Sequence, residues 1–389
     1  MLPANDGRDA DRASACASLI QLAIRIGGAE ENCAELFAEG TTLASHSDNN
    51  ELLAILNGGY GMYRGMALGE ADVYRTHGIE ASRLSDLTNN DELQVASRLF
   101  HQFGALFSGR LNECVAVGTE MIKRGANTPE LGAGVILQDP LATVHIGLTW
   151  AFLLLGKLAA AEHSTVEAGR LSRRYKWSEG LALNEVSASK IAAWRGDQCA
   201  QLEHAQRAVE IMEQTGNLFA KVISYCNFGA AHINAGHSDC AIECLTIAER
   251  INAEAGAGRG WHGAIHGHLA AALIKLGQVD EAHRVALAAV EFCRPRILRH
   301  DLQPWFSLAR AQILKGDTQA ARVTLEETQS LINTTEARYY QPFLHELRAE
   351  YAKAFATNWS PDDELREAHR LFSKLGMTGQ VARLDSLDE

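Results

Sequence analysis

A chain of 389 residues would divide into two or three globular domains at about 150 residues each, unless a repeat organises it as one elongated body. Its composition is 47% hydrophobic, 22% charged and 7% aromatic with a mean hydropathy of -0.13, which excludes disorder and a membrane channel. A formal net charge of -12, with no Lys/Arg-rich run to offset it, opposes counterion release on DNA or RNA, so no direct nucleic-acid partner is expected.

At the start of the chain, Asn5, Asp6, Asp9 and Asp11 stand where a secretory leader would need basic and then apolar residues. A cytoplasmic chain is expected, with residues 1–13 disordered. From there glycines recur at 28, 69, 109, 156, 196, 236, 277 and 316, at spacings of 41, 40, 47, 40, 40, 41 and 39. Each closes an apolar, helix-patterned stretch and precedes a short polar turn and a second helical stretch. Five residues after the glycines come Cys33, Cys114, Ala161, Ala241, Ala282 and Ala321, with Tyr74 and Gln201 as exceptions. Five residues before them come Ala23, Gly104, Ala151, Ala231, Ala272 and Ala311. Small side chains flanking a turn let two antiparallel helices approach closely, so each unit of about 40 residues is a helical hairpin.

The long spacing between Gly109 and Gly156 places an inserted loop at 125–140, either a plain connector or a ligand loop. The apolar run Ile146–Gly156, ended by Lys157, is too short to cross a bilayer and reads as a core helix. Prolines avoid helix interiors: Pro3 is terminal, Pro129 and Pro140 lie in the spacer, Pro295 and Pro304 fall between repeats, and Pro342 and Pro361 suit helix starts. A ninth hairpin without the glycine runs from Pro342 to Leu375, its second helix opened by Ser360 as N-cap and by Asp362, Asp363 and Glu364 in the first turn. Nine hairpins, each with an apolar face it cannot bury alone, predict a single all-α, right-handed superhelical solenoid over 1–389.

This grammar resembles tetratricopeptide repeats, although the period exceeds their usual 34 or so. It is similar to the tetratricopeptide-like regions that end bacterial signalling ATPases, those attached to adenylate or guanylate cyclases and the large transcriptional activators. The likeness is carried by Asp139-Pro140 through Trp150 to Gly156 and by the tail Leu365 to Gly376-Met-Thr-Gly379. It implies partner or effector sensing rather than chemistry. The chain departs from those proteins in having no G-x-x-x-x-G-K-[ST] loop, no cyclase domain and no helix-turn-helix.

Candidate chemistry is sparse. Gly256-Ala-Gly258-Arg-Gly260-Trp-His-Gly263 has the glycines of a phosphate cradle, but no strand precedes it, and helix C-capping between two hairpins accounts for it. His232, His237, Cys240 and Cys244 have ligand-type side chains at close spacing, and His262 and His266 form an i, i+4 pair; Cys240 and Cys244 occupy positions where other repeats carry small residues, so packed thiols are expected and no metal or cofactor. Asp362–Glu364 is explained by the helix start, and His345-Glu346 lacks the second histidine of a zinc-protease motif. The eight cysteines are expected as thiols.

Positions -9, -6 and -2 from each turn glycine share one helical stripe. Early repeats place Tyr60, Tyr63, Phe100, Phe103, Phe107 and Trp150 there; later ones place Lys190, Trp194, Asn227, Asn234, His268, Lys275 and Arg310. Either these residues line a concave groove, aromatic in its first half and hydrogen-bonding in its second, or the aromatics are ordinary core. The expected protein is a non-enzymatic scaffold or sensor whose groove takes a peptide, a protein segment or a small effector. The alternative is a regulatory module whose ATPase or cyclase portion lies elsewhere.

Overall fold

The computed structural model describes residues 6–128, 130–136, 138–355 and 359–386. They form nineteen α-helices: α1 (Asp6–Ile26), α2 (Glu30–His46), α3 (Asn50–Met66), α4 (Ala71–Asp86), α5 (Asp91–Phe107), α6 (Leu111–Gly125), α7 (Pro140–Leu154), α8 (Leu158–Arg174), α9 (Ser178–Arg195), α10 (Gln198–Glu213), α11 (Leu218–Asn234), α12 (Ser238–Ala255), α13 (His262–Lys275), α14 (Val279–Arg296), α15 (Gln303–Leu314), α16 (Thr318–Thr335), α17 (Gln341–Ala354), α18 (Pro361–Leu375) and α19 (Thr378–Asp385). The first eighteen pair in order into nine hairpins. Sheet is absent among the described residues apart from an isolated bridge between Ala133 and Ile136.

Local chemistry sets the helix ends. Asn49, Asn90, Asp139, Asp197, Asn217, Asp317 and Ser360 each accept a hydrogen bond from the backbone N–H three residues on, satisfying a donor that has no intrahelical partner. The turn glycines from Gly69 to Gly316 adopt left-handed φ between +74° and +81°. In the first turn it is Gly27, not Gly28, that does so, at +82°.

Other differences from the sequence reading are local. Helix α1 begins at Asp6, inside the stretch expected to be disordered, and from Ala13 onward buries Cys16, Ala17 and Ile20. Pro295 lies in the last turn of α14 rather than between repeats; the carbonyl it leaves free belongs to Glu291, which is exposed. Pro304 stands in the first turn of α15, where no intrahelical donor is needed. The spacer runs from the end of α6 at Gly125 to the start of α7 at Pro140, and Pro129 lies outside the described residues.

The superhelix is wound tightly enough for its second turn to rest on its first. The amide of Arg259, between the sixth and seventh hairpins, donates to the Ala67 carbonyl (3.3 Å), and that of Arg299, one hairpin on, donates to the Phe107 carbonyl (2.9 Å). Asn112 reaches Glu336 (2.7 Å), and the Trp194 indole donates to the Leu375 carbonyl (3.1 Å). At the far end Gly196 and Gly379 meet backbone to backbone, so closely that a Cβ on Gly196 would lie 2.4 Å from the Gly379 Cα. Hairpins about five apart in sequence are therefore neighbours, and the concave side is an enclosed interior rather than an open trough.

Candidate functional site

That interior holds a cavity of about 280 Å³ between the fourth and ninth hairpins. The first helices of successive hairpins supply its wall from the -9, -6 and -2 stripe: Trp150 from α7, Lys190 and Trp194 from α9, Asn227 and Asn234 from α11, His268 from α13 and Arg310 from α15. These seven of the thirteen stripe residues converge there. Lys275 does not line the cavity; its ammonium donates to the Ile233 carbonyl at 2.6 Å.

The early aromatics are core. Tyr60 stacks on Phe37 (4.2 Å), and the Tyr63 hydroxyl donates to the Gly28 carbonyl (2.8 Å). Phe100 is fully buried against Gly58 of the preceding hairpin. Phe103 and Phe107 line only a smaller void of about 60 Å³, separated from the main cavity by Trp150 and Trp261, which border both. The stripe changes character because the second superhelical turn covers it: Phe107 stacks on His300 (4.7 Å) and meets Trp261 edge-on (5.2 Å), residues that come from the junctions resting on it.

Those junctions furnish the residues that the stripe omitted. Trp261, His300 and Tyr339 follow one another at intervals of 39 residues, each just before the first helix of its hairpin, and all three line the cavity. The same spacing that locates the turn glycines marks them, but a reading confined to helix interiors passes over them. Phe306 and Tyr340 complete the aromatic wall, their rings stacked at 5.5 Å.

The polar lining is partly spoken for. Asp301 accepts hydrogen bonds from the Tyr340 hydroxyl (3.0 Å) and the Gln303 amide (2.8 Å). Burial pushes its carboxyl up, but His268, Lys190, the Gln303 amide and His300 outweigh that and hold it below the usual carboxylate range. Burial keeps His268 below the usual imidazole range and takes His300 down to about 4, against the opposing pull of the Asp301 carboxylate. Arg310 is engaged by Glu350 through two hydrogen bonds (2.9 and 2.6 Å). By contrast, the Asn227 side-chain nitrogen and both His300 ring nitrogens are buried without a partner in the protein. Asn227 borders the cavity but is only 6% exposed, and its unpaired side-chain nitrogen is shielded from solvent at a desolvation cost of about 1–3 kcal/mol.

Elsewhere the chemistry is spare. His232, His237, Cys240 and Cys244 do not gather into a ligand set: Cys244 is buried, Cys240 is exposed, and the two rings lie 5.7 Å apart. The expectation of two packed thiols thus holds for Cys244 and fails for Cys240, whose helix position turns outward. All eight cysteines are free thiols. Gly256 caps α12 in the left-handed conformation, and the Gly256–Gly260 segment is the junction that delivers Trp261. Ser360 and the three acids after it do open α18. No helix among the described residues is long and apolar enough to cross a membrane.

An all-α solenoid of paired helices closed around a lined interior is a tetratricopeptide-like repeat protein. Its similarity to solved structures is that of fold. A Rap protein complexed with Competence and Sporulation Factor superposes with a TM-score of 0.62 at 11% identity, covering 98% of this chain and 100% of that one. NprR in complex with its cognate peptide NprX gives 0.61 at 10% identity, covering 95% and 100%. The Rap conjugation regulator of plasmid pLS20, in complex with the Phr* peptide, gives 0.58 at 13%, covering 95% and 96%. No family model and no curated protein matches the sequence.

Proposed function

We propose that this protein is a non-catalytic, cytoplasmic regulatory scaffold that takes a short peptide into the cavity between its fourth and ninth hairpins. The observation that carries the reading is the cavity itself, walled by tryptophan and tyrosine and bordered by Asn227, Asn234 and Lys190. Extended peptides present backbone carbonyls and side chains at regular intervals, and a wall that alternates aromatic surface with hydrogen-bonding groups suits both. The volume lies near the lower edge of the roughly 300–1,000 Å³ of small-ligand sites, enough for part of a peptide. The three structures above, two solved with a peptide and one with Competence and Sporulation Factor, support the same reading.

The test is selection from a pool of short synthetic peptides on the immobilised protein, followed by titration read by tryptophan fluorescence. Three of the six tryptophans, Trp150, Trp194 and Trp261, line the cavity and report its occupancy. Asn227→Ala should leave stability within about 1 kcal/mol, since it deletes an unsatisfied donor, and should weaken binding by roughly tenfold or more. Peptides that bind Asn227→Ala as tightly as the parent protein would place the site elsewhere.

A further inference from the structure

Outside the cavity, one group of side chains is arranged for a ligand that the peptide reading does not use. Helix α12 ends at Ala255, the chain reverses through Gly256–Trp261, and α13 starts at His262. The reversal sets Glu249, near the end of α12, against His262 and His266, which stand one turn apart on one face of α13. One ring nitrogen of each histidine and one Glu249 carboxylate oxygen all lie within 4.8 Å of one another. The Glu249 oxygen is almost equidistant from the two Nδ1 atoms, at 3.9 Å from His262 and 3.8 Å from His266, too far to hydrogen-bond with either. The rings face each other at 4.0 Å between centroids, and Phe292 from α14 closes the far side of His262 at 4.3 Å.

We propose that Glu249, His262 and His266 form a binding site for a divalent transition-metal ion of the zinc class. Two imidazoles and one carboxylate are a three-ligand set that leaves a fourth position for water, and side-chain exposures between 17% and 33% keep that position open to solvent. Bonds of about 2.0–2.2 Å require the three atoms to draw in by an ångström or so, within reach of χ rotation in a partly exposed glutamate. His266 Nδ1 also lies 3.0 Å from the His262 carbonyl, a contact that coordination through that atom would replace. Arg259 and Arg296 stand close enough to act on His262 electrostatically. Their charge opposes every divalent ion alike; selectivity comes from the donors, since calcium and magnesium depend on accumulated carboxylates whereas two imidazoles favour ions that bind nitrogen strongly. An ion here would brace the junction that carries Trp261 into the cavity.

The experiment uses the whole chain, freed of metal by chelator and titrated with zinc by calorimetry, alongside cobalt as a spectroscopic substitute. The expected result is one equivalent of zinc bound at micromolar Kd or tighter, an upward shift in melting temperature, and a cobalt spectrum without thiolate charge transfer. His266→Ala should remove the binding, Glu249→Gln should weaken it at least tenfold, and Cys240→Ala should leave it unchanged. His266→Gln, closer in size, serves if the alanine variant does not fold. Absence of stoichiometric zinc binding would overturn the proposal. So would binding that survives loss of His266, or a cobalt–thiolate band, which would move the ion to Cys240 and Cys244.

Discussion

Replacing Gly196 with alanine combines two costs that Gly236→Ala separates. Both glycines end a first helix in the left-handed region, at φ +74° and +81°, where an added Cβ costs about 1–2 kcal/mol. At Gly236 nothing else lies within 4 Å of the new atom. At Gly196 it would meet the Gly379 Cα at 2.4 Å, with the Gly379 nitrogen and carbonyl carbon at 3.3 and 3.4 Å. Carbon atoms prefer about 3.5–4.0 Å, so the Gly379 backbone must retreat by roughly 1 Å or more, and no flexible side chain can absorb the movement. The added cost is bounded by what peeling α19 from α9 would cost, because that relieves the clash. Met377 and Leu384, 1% and 6% exposed, are the apolar anchors of that contact; exposing both costs on the order of 3–6 kcal/mol as an upper limit. Gly236→Ala is therefore expected to destabilise by about 1–2 kcal/mol, and Gly196→Ala by more, with the excess concentrated at α19. Hydrogen exchange resolved by segment is the decisive assay, since repeat proteins need not unfold in one step. Loss of α19 protection in Gly196→Ala alone is the predicted outcome; equal protection in the two variants would refute the tightly wound seam.

Phe107→Ala removes a side chain with no exposed surface, wedged among Tyr74, Trp261 and His300, and should cost about 3–5 kcal/mol in denaturant unfolding; near-native stability would return the early aromatics to a groove. His145 is 7% exposed, and burial holds its pKa down to about 4. The unfolded chain takes up that proton near pH 6.5 and the folded one only near 4, so stability is complete above 6.5 and falls between those values, by up to roughly 3 kcal/mol at the acid end. His145→Gln should flatten that acid limb, and an unchanged slope would assign it to other groups. Of the eight thiols only Cys199 and Cys240 are exposed, while burial pushes Cys226 and Cys293 up to about 12 and Cys244 to about 11. A native-state thiol assay should therefore show two fast groups, lost when both are changed to alanine, and a third fast group would contradict the packing.

What the sequence alone determined is most of what depends on residues near one another in the chain, with Gly27, Pro295 and the start of α1 as exceptions. The period of about 40, the turn glycines, the N-cap at Ser360 and the small residues flanking each turn are local requirements of a helical hairpin, and the residues that meet them are visible as a pattern. The stripe at -9, -6 and -2 was legible for the same reason, and from Trp150 to Arg310 it does line the interior, Lys275 excepted. Its early half could not be assigned, because whether Phe107 faces a groove or is packed depends on His300 and Trp261, more than 150 residues away. Which hairpins meet is set by the superhelical pitch, a sum of small rotations at every interface, and no single stretch of sequence encodes that sum. The tertiary structure alone therefore decided that the second turn rests on the first, that Gly379 must lack a side chain to pass Gly196, and that Glu249 is set beside His262 and His266, one polar atom of each within 4.8 Å of the others.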